Sequence, residues 1–398
     1  MRMLVVAPHP FFSCRGTPFS VYYRTLVAAE LGLNCDLLTY GQGTDVELPG
    51  CRIYRIPAMR WLGDVKVGPS LLKMFLDTLM VFWTIALLCR RRYLVVHAHE
   101  EAVFWCMLLK PLFRFRLVYD MHSSLPQQLD NFHYTRSSIA RRIFARLERG
   151  AVRTSEGVIT VCPALMHHAK TLTENHEKLF LIENSIVEPV KGEERKEPNE
   201  AEMTGVEAGR RWLGARSPGK TLIYAGTLEA YQGIERLLKA FSSVVRTLPE
   251  AGLLVVGGQP HQVEKLWRQA RELGITANVF FTGQLPHPDT QELIRRCAAS
   301  VSPRESGNNT PMKIYELIAH RVPLIATRIE SHTQVLSDDL CTLTGVEPEQ
   351  MAERIIWALC NPECLQEKAL RAEAWYHENY SRERYAGKMR RLIALVAA

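Results

Sequence analysis

The sequence predicts an α/β protein with two domains, each built on a parallel, doubly wound sheet. Three observations favour this fold class. The chain has 398 residues, about two to three times the usual length of a single domain. Short apolar runs alternate with longer amphipathic segments along almost all of it, as strands and helices do in such sheets. A charged, proline-bearing stretch near the middle interrupts this alternation.

Two series of apolar runs predict the strands. Runs of four to six apolar residues are typical of parallel strands that helices cover on both faces. They lie at residues 3–7, 35–39, 94–98, 116–119 and 157–161, and again at residues 221–225, 252–257, 279–282, 298–302 and 323–327. Amphipathic segments with a 3.6-residue period separate them, for example residues 234–248 and 261–274. We therefore expect two Rossmann-like domains that face each other across a cleft.

The domain boundary is predicted from composition. Residues 188–198 carry charges and prolines without an apolar period, which is typical of a linker. We therefore assign residues 1–186 to an N-terminal Rossmann-like domain, residues 187–220 to the linker and residues 221–364 to a second Rossmann-like domain. The helical pattern of residues 365–398 predicts C-terminal helices that return towards the first domain.

Residues 71–89 form an apolar stretch that is broken by Lys73, Asp77, Thr78 and Thr84. A spanning helix needs about 20 apolar residues, and a charge at its centre costs on the order of 3 kcal/mol. Three interpretations stay open: a helix buried against the sheet, a helix that touches a bilayer, and a membrane span. Basic residues close to this stretch favour contact with anionic lipid: Arg90, Arg91, Arg92, Lys110, Arg114 and Arg116.

Composition and charge exclude several classes of protein. The chain is 47% hydrophobic and 23% charged, as soluble globular proteins are. Its net charge of +7 favours anionic ligands or surfaces but is too small for a dedicated nucleic-acid binder. The ten cysteines form no CxxC pair, and Cys360 and Cys364 lack the histidines of a zinc site. Residues 1–7 do not resemble a signal peptide. We expect free thiols and a cytoplasmic location, including the inner face of the membrane.

Candidate ligand-binding residues of the first domain follow predicted strands. After the first strand, a loop leads to Gly16, where a helix opens and its free N–H groups can meet an anion. A tight turn explains this glycine equally well, and the loop lacks the GxGxxG fingerprint of dinucleotide-binding proteins. His99 and His122 follow two later strands, and ligands of open α/β sheets bind at such strand ends. For both histidines, a purely structural hydrogen bond is the alternative.

The most specific signal is the segment of residues 302–319. A strand ends in a loop rich in glycine and asparagine, after which Thr310 is expected to cap a helix that Pro311 opens. Lys313 lies in the first turn, where the helix dipole disfavours a cation. An anion held by the N–H groups and the ammonium would remove this conflict. Glu316, one turn further on, can accept hydrogen bonds from sugar hydroxyls. A solvated Lys313 is the alternative.

Three segments resemble family-4 retaining glycosyltransferases of the GT-B fold. The segment of residues 302–319, with the following Arg-Val-Pro-Leu-Ile-Ala-Thr at residues 321–327, is similar to the donor-site signature of that family. Residues 224–235 resemble its Gly-Arg-Leu-x-x-x-Lys-Gly segment, and residues 182–187 resemble its Asn-Gly-Val interdomain segment. The resemblance spans nearly the whole chain and is strongest from residue 222 to residue 336.

Three positions depart from the family pattern. The family has two glutamates separated by seven residues; Asn308 stands at the first position and Glu316 at the second. Thr227 and Gln232 stand where an arginine and a lysine usually grip the donor diphosphate. We expect Lys313 to replace part of the missing positive charge.

The resemblance implies a function for each domain. The second domain would bind a nucleoside diphosphate sugar, and the first would bind an acceptor. His122, Lys313 and Glu316 are the catalytic candidates. The candidate donor-binding residues are Gly16, Gly226, Thr227, Gln232, Asn308, Asn309, Thr310, Pro311, Met312, Lys313 and Glu316. We expect no metal and no cofactor beyond the nucleotide-sugar co-substrate, because the sequence has no Asp-x-Asp motif that would hold a metal.

The implied reaction is the transfer of a sugar to an acceptor hydroxyl with retention. The acceptor is expected to be lipid-linked or a cell-surface glycan precursor, reached by a peripheral membrane protein. Two alternatives stay open. The same fold serves sugar-nucleotide epimerases or hydrolases, and a non-catalytic GT-B partner subunit would tolerate the missing cations.

Overall fold

The computed structural model describes residues 1–13, 16–58, 71–124, 138–190 and 200–397. The chain divides into two compact units. Residues Met1–Arg195 and Ser381–Ala398 form the first, and residues Lys196–Tyr380 form the second. We call these units the first and the second domain, and each is described by itself.

The first domain is built on a seven-stranded parallel sheet with the strand order β3-β2-β1-β4-β5-β6-β7. The strands are β1 (Arg2–Ala7), β2 (Asn34–Thr39), β3 (Cys51–Arg55), β4 (Val95–His99), β5 (Arg116–Met121), β6 (Gly157–Thr160) and β7 (Leu179–Leu181). The order reverses between β1 and β4, because β2 lies on one side of β1 and β4 on the other. Loops that leave the carboxyl ends of β1 and β4 therefore flank a crevice where such sheets bind ligands.

The second domain has a six-stranded parallel sheet with the order β10-β9-β8-β11-β12-β13. The strands are β8 (Thr221–Ala225), β9 (Gly252–Val256), β10 (Val279–Gly283), β11 (Ala299–Ser302), β12 (Leu324–Thr327) and β13 (Thr342–Thr344). Here the order reverses between β8 and β11. Two doubly wound parallel sheets confirm the predicted fold class.

Fourteen α-helices lie in the described part of the chain. They are α1 (Gly16–Glu30), α2 (Leu71–Arg90), α3 (Ala102–Phe113), α4 (Ser138–Thr154), α5 (Pro163–Leu172), α6 (Glu200–Gly214), α7 (Ile234–Thr247), α8 (Pro260–Glu272), α9 (His287–Arg295), α10 (Met312–Ala319), α11 (Glu330–Thr333), α12 (Pro348–Cys360), α13 (Pro362–Asn379) and α14 (Arg382–Ala397). Most of them lie between consecutive strands, as the helices of parallel crossovers do.

Apolar side chains fill both faces of each sheet. In the first domain, residues of α2 to α5 form one hydrophobic cluster with the sheet, and residues of α1 and α14 form another. In the second domain, Phe241 of α7 and Ile355 of α12 lie in a cluster with strand residues such as Leu253. Because helices cover both faces of the first sheet, ligands are expected to bind at the ends of its strands.

Helix α2 contains the apolar stretch of residues 71–89. The segment Leu72–Arg90 has the length and the mean hydropathy, 1.8, to cross a membrane, and 28% of it is buried in the domain. Leu76 and Met80 lie in the core. Lys73 forms an ion pair with Glu101, and Asp77 accepts a hydrogen bond from the Tyr40 hydroxyl. These partners lie in the same domain, which favours a helix packed on the sheet over a membrane span.

Two segments differ from the predicted domain boundaries. Residues 191–199 of the predicted linker lie outside the described residues, but α6 (Glu200–Gly214) is a helix of the second domain. It packs on the edge strand β10, where Gly205 and Gly209 lie against Thr282. Of the predicted C-terminal helices, α13 belongs to the second domain and α14 to the first. The amphipathic period alone does not tell which sheet a helix covers.

Candidate functional site

At the carboxyl edge of the first sheet, buried ionisable side chains surround Asp120. Its carboxylate Oδ2 lies 3.0 Å from Nη1 of Arg24 and 3.0 Å from Nε2 of His97. The other oxygen, Oδ1, lies 3.2 Å from Nε2 of His122. His99 Nδ1 is 3.4 Å from Asp120 and 3.2 Å from His122. We call Arg24, His97, His99, Asp120 and His122 the Asp120 cluster.

Charge in the Asp120 cluster is set by burial and by the arginine. Burial alone would raise the pKa of Asp120, but the neighbouring Arg24 guanidinium holds it well below the usual range. Burial lowers the pKa of His99 well below that of a free imidazole. The cluster therefore contains a carboxylate, a guanidinium and a neutral His99 at physiological pH. His122 has Nε2 within hydrogen-bond distance of the carboxylate, which orients its ring.

The strand alternation explains why these side chains meet. His97 and His99 lie two residues apart on β4 and point to the same face, where their rings stack at 4.5 Å. Asp120 and His122 repeat this spacing at the end of the neighbouring β5. The sequence prediction named His99 and His122 but missed His97 and Arg24. His97 could have been predicted, because it lies two residues before His99 on the same strand and so points to the same face. Arg24 could have been predicted too, because a lone arginine in an apolar helix needs a buried partner.

The Asp120 cluster does not fit a metal centre. His97, His99 and Asp120 place three potential ligand atoms within 4.8 Å of one another. However, the Arg24 guanidinium lies 3.0 Å from Oδ2 of Asp120, so the carboxylate is already paired with a positive charge. A second positive charge beside Arg24 would be repelled. The cluster is an ion-paired network.

Gly16 is exposed and begins α1. None of the contacts described above for the Asp120 cluster involves it. Arg15, before it in the same loop, lies outside the described residues. The assignment of Gly16 to a donor stays a prediction.

In the second domain, the segments after β8 and β11 meet at the switch point of the sheet. Gly226, directly after β8, has a φ of +155°, and a Cβ there would lie 3.3 Å from the ammonium of Lys313. Gly233 has a φ of +74°, and a Cβ there would lie 2.0 Å from the carbonyl of Pro303. Glycine is needed at both positions to bring the β8 segment against the β11 loop.

Lys313 is the central basic residue of this site. Its Nζ lies 4.3 Å from the ring centroid of Tyr224 and 3.4 Å from the carbonyl oxygen of Ala225. Burial, with a smaller contribution from the positive charge of Arg304, lowers the pKa of Lys313 to about 7. The contacts of its ammonium with Tyr224 and Ala225 favour an anion site over the solvated Lys313 that the sequence left open as an alternative.

Helix α10 begins one residue later than predicted. Pro311 is the N-cap residue, Met312 and Lys313 are the first two helical residues, and the N-cap makes no side-chain hydrogen bond. Thr310, expected to cap the helix, has a buried hydroxyl without a hydrogen-bond partner among the described residues. A proline N-cap has no side-chain hydrogen-bond acceptor. The first N–H groups of α10 are therefore not occupied by the N-cap side chain and can bind an anion.

The remaining predicted donor residues lie around Lys313. Gln232 Nε2 contacts the Thr227 hydroxyl at 3.4 Å, so the two uncharged replacements are neighbours. The Gln334 side chain donates to the carbonyl of Asn308 at 2.8 Å. Arg304 donates to the carbonyl of Asn309 at 3.0 Å. The loop after β11 is thus held through its carbonyl groups.

Glu316 lies on α10, one turn beyond Lys313. Its Oε1 is 2.7 Å from Nε2 of His287, at the start of α9. The sequence prediction missed His287, since nothing in the pattern connects α9 to this loop.

A buried histidine of the second domain, His332, was also missed. In α11, Nε2 of His332 lies 3.0 Å from the Ser302 hydroxyl, and its Nδ1 lies 2.8 Å from the carbonyl oxygen of Thr327. The imidazole therefore connects the ends of β11 and β12. Burial lowers the pKa of His332 to about 4, and the charges of Lys313 and Arg304 act in the same direction. His332 is a neutral support of the β11 loop.

Comparison with known families agrees with this architecture. Residues 207–375 match the model of "Glycosyl transferases group 1", and residues 22–185 match that of "Glycosyl transferase 4-like domain". The chain belongs to the group 1, family-4 glycosyltransferases. The Lys313 site lies in the first of these matches and the Asp120 cluster in the second.

Solved structures with the same fold cover this glycosyltransferase from end to end. Sucrose-phosphate synthase from Thermosynechococcus elongatus is 18% identical, with a TM-score of 0.74 over 100% of this chain and 99% of its own. HepE from Anabaena, solved with UDP and glucose, is 14% identical, with a TM-score of 0.70 over 100% of both chains. WaaG, a glycosyltransferase of lipopolysaccharide biosynthesis, is 16% identical, with a TM-score of 0.69 over 100% of both chains. The glycosyltransferase has the GT-B fold. No curated protein sequence matches it.

Proposed function

We propose that this glycosyltransferase moves a sugar from a nucleoside diphosphate sugar to an acceptor hydroxyl, with retention of configuration. The observation that carries the proposal is Lys313. A half-buried lysine in the first turn of α10, whose ammonium lies beside Gly226, has no carboxylate within ion-pair distance among the described residues. Such a charge is costly in the free protein, and an anionic ligand offsets the cost. The Anabaena protein solved with UDP and glucose supports a diphosphate donor.

Each predicted donor residue has a proposed role. Gly226, Thr227 and the start of α10 from Asn309 to Lys313 hold the phosphates, and Gln232 lies beside them. Asn308 and the buried hydroxyl of Thr310 offer polar groups to the sugar-phosphate. Glu316 accepts hydrogen bonds from the ribose, and its contact with His287 fixes the carboxylate before the donor arrives. These roles need neither a metal nor a further cofactor.

The proposed chemistry depends on charge at the leaving group. As the bond between the sugar and the diphosphate breaks, negative charge develops on the phosphate oxygens. Lys313 and the N–H groups at the start of α10 stabilise that charge. The departing diphosphate lies close to the incoming hydroxyl and takes its proton, so the new bond forms on the face that the diphosphate leaves. This is the retaining course.

In the first domain we propose that His122 orients hydroxyls of the sugar or the acceptor. Asp120 holds its ring through Nε2, while Arg24 and His97 hold the carboxylate. A histidine that is fixed by a buried carboxylate positions a hydroxyl more precisely than a mobile one. Gly16, at the start of α1, is proposed as a further contact of the ligand.

A lipid-linked acceptor at the inner face of the membrane is also part of the proposal. The outer surfaces of α2 and α3 expose large apolar side chains, with exposed fractions between 48% and 75%: Met74, Phe75, Phe82, Leu108 and Leu112. Helices α2 and α3 are neighbours on the same face of the sheet. We call these five residues the apolar face. Apolar residues near basic ones are typical of peripheral membrane binding.

The test is a thermal-shift screen of the full-length protein with UDP-, GDP- and ADP-sugars. Ligands stabilise the folded state by mass action, so the donor should raise the unfolding temperature while the other nucleotide sugars do not. Products are then analysed with and without a membrane lipid extract. Transfer to lipid supports the proposal. Epimerised or hydrolysed sugar with no transfer would favour the epimerase or hydrolase, and binding without any turnover would favour a non-catalytic subunit.

A further inference from the structure

Arg304 lies in the loop after β11, two residues beyond the strand. Its Nη1 donates to the carbonyl of Asn309 at 3.0 Å, and its Cζ lies 5.1 Å from the ring centroid of Tyr231. The Nε atom is buried and has no hydrogen-bond partner among the described residues. A buried N–H group without a partner is rare in folded proteins, and it indicates a ligand.

The charge of Arg304 is also without a neutralising partner. No carboxylate of the described residues lies within ion-pair distance of it, and the adjacent Glu305 pairs instead with Arg236 at 3.1 Å. Arg304 and Lys313 act on each other, since the charge of Arg304 contributes to the lowered pKa of Lys313. Two like charges in one partly buried loop oppose each other in the free protein. An anion between them would remove the repulsion.

The loop is built to keep the guanidinium in place. Gly307 has a φ of +129°, which favours glycine, and a Cβ there would lie 2.4 Å from Nη2 of Arg304 and displace the guanidinium. The aromatic ring of Tyr231 stacks with the guanidinium, an interaction that arginine forms well. Tyr231 lies in the same 3-10 turn, Ala230–Gln232, as Gln232, where the family carries a lysine.

We propose that Arg304 is the second cation of the donor-phosphate site and binds the diphosphate together with Lys313. The inference rests on the proposed function, because it names a further residue that binds the phosphates of the same donor. In this chain the positive charge would come from the β11 loop and α10 instead of from the positions of Thr227 and Gln232. A planar guanidinium can donate two parallel hydrogen bonds to phosphate oxygens, whereas a lysine ammonium acts as a point charge without that fixed geometry.

The experiment compares nucleotides with their nucleosides. UDP, ADP and GDP are titrated by calorimetry into the full-length parent, Arg304→Gln and Arg304→Lys, each beside uridine, adenosine or guanosine. The control is Arg246→Gln, which removes an exposed arginine of the same domain whose side chain contacts Ser243. Thermal unfolding without ligand checks that each variant is folded.

We expect Arg304→Gln to weaken binding of the nucleoside diphosphate by at least about tenfold and to leave the nucleoside unchanged. Arg304→Lys should bind the diphosphate with an affinity between those of the parent and Arg304→Gln. Arg246→Gln should bind it as tightly as the parent. The inference is overturned if Arg304→Gln binds the diphosphate within about twofold of the parent. Equal losses for diphosphate and nucleoside would overturn it too, since they show that Arg304 only supports the loop. If the parent binds none of the three nucleotides, the proposed function itself fails.

Discussion

The Asp120 carboxylate shows how single residues of this chain combine support with chemistry. It is fully buried, and Arg24 neutralises it from the middle of α1. Burial keeps the pKa of His99, beside this ion pair, well below that of a free imidazole. His122, on the edge of the cluster, has its Nε2 3.2 Å from the carboxylate, and we propose that this contact positions it for a role in catalysis.

Replacing His122 with alanine tests that function. We expect turnover to fall by at least about 10²-fold, the low end for a positioned catalytic group, with little change in donor affinity. His176→Ala removes an exposed histidine of the same domain and should leave turnover unchanged. Steady-state transfer assays and nucleotide titration measure the two quantities. Near-normal turnover of His122→Ala would refute the assignment.

Asp120 itself should be essential for stability. Asp120→Asn leaves the Arg24 guanidinium buried without its counter-charge, which costs about 3–5 kcal/mol in the free energy of unfolding. The matched control is Asp45→Asn, because the ion pair of Asp45 with Arg55 is exposed and contributes about 1 kcal/mol or less. Urea denaturation monitored by circular dichroism compares both variants. Similar losses in the free energy of unfolding for the two variants would show that the buried ion pair of Asp120 stabilises the protein no more than the exposed pair does.

The lowered pKa of Lys313 predicts how nucleotide binding depends on pH. A bound diphosphate stabilises the ammonium, so binding takes up a proton wherever Lys313 is neutral in the free protein. With a pKa of about 7, affinity should fall as the pH rises above 7, by up to about tenfold per unit. Lys313→Arg cannot lose its proton and should bind with a flat profile between pH 7.5 and 9. A flat profile for the parent would contradict the prediction.

The same shift has a consequence for the free protein. The unfolded chain protonates Lys313 below a pKa of 10.5, whereas the folded protein protonates it only below about 7. Its contribution therefore lowers the free energy of unfolding as the pH falls from about 10.5 to 7. A bound nucleotide should remove much of this loss.

At the scale of elements, α2 and α3 share one layer of the first domain and present the apolar face outward. We predict that the purified protein floats with anionic liposomes at low salt, and that Phe82→Glu with Leu112→Glu abolishes flotation. Both side chains are exposed, so the substitutions should not disturb the core. Met203→Glu replaces an exposed apolar residue of the second domain and is the control.

Failure of the parent protein to float would leave the apolar face without a membrane role. Flotation that survives the double substitution would place the membrane contact elsewhere. High salt should weaken flotation, because the attraction of the basic residues to the lipid is screened.

Most elements could be predicted from the sequence because buried parallel strands are continuous apolar runs. All ten predicted runs are strands, and the run at residues 221–225 has the observed bounds of β8. Strands β3, β7 and β13 were missed. Two of the five residues of the edge strand β3, Cys51–Arg55, are arginines, which interrupt an apolar run. Strands β7 and β13 have three residues each, too few to form a recognisable run.

The site could be predicted only where residues follow a strand or open a helix. His122 and Lys313 were found in this way. Arg24, His332 and His287 lie inside or at the start of helices that are distant in sequence, and only the fold brings them to their partners. Arg304 stood within the quoted signature, but its unpartnered Nε and its ring contact need coordinates.

At the scale of the whole molecule, each domain has its own sheet, its own core and its own candidate site. Helix α14 completes the first domain, where Tyr385, Met389 and Leu392 are buried and Arg382 pairs with Glu30. The last residues of the chain therefore support the domain that contains the Asp120 cluster. Lys313 and the segments after β8 and β11, by contrast, belong to the second domain.

Calorimetric titration of the nucleoside diphosphate into full-length protein and Lys313→Ala tests the central claim most directly. One charge-assisted hydrogen bond contributes about 1.5–3 kcal/mol, so the variant should bind about 10- to 150-fold more weakly. Lys313→Arg should recover part of the loss, since a planar guanidinium does not fit a point-charge position. The account is contradicted if Lys313→Ala binds the nucleotide as tightly as the parent, because the phosphate site would then lie elsewhere.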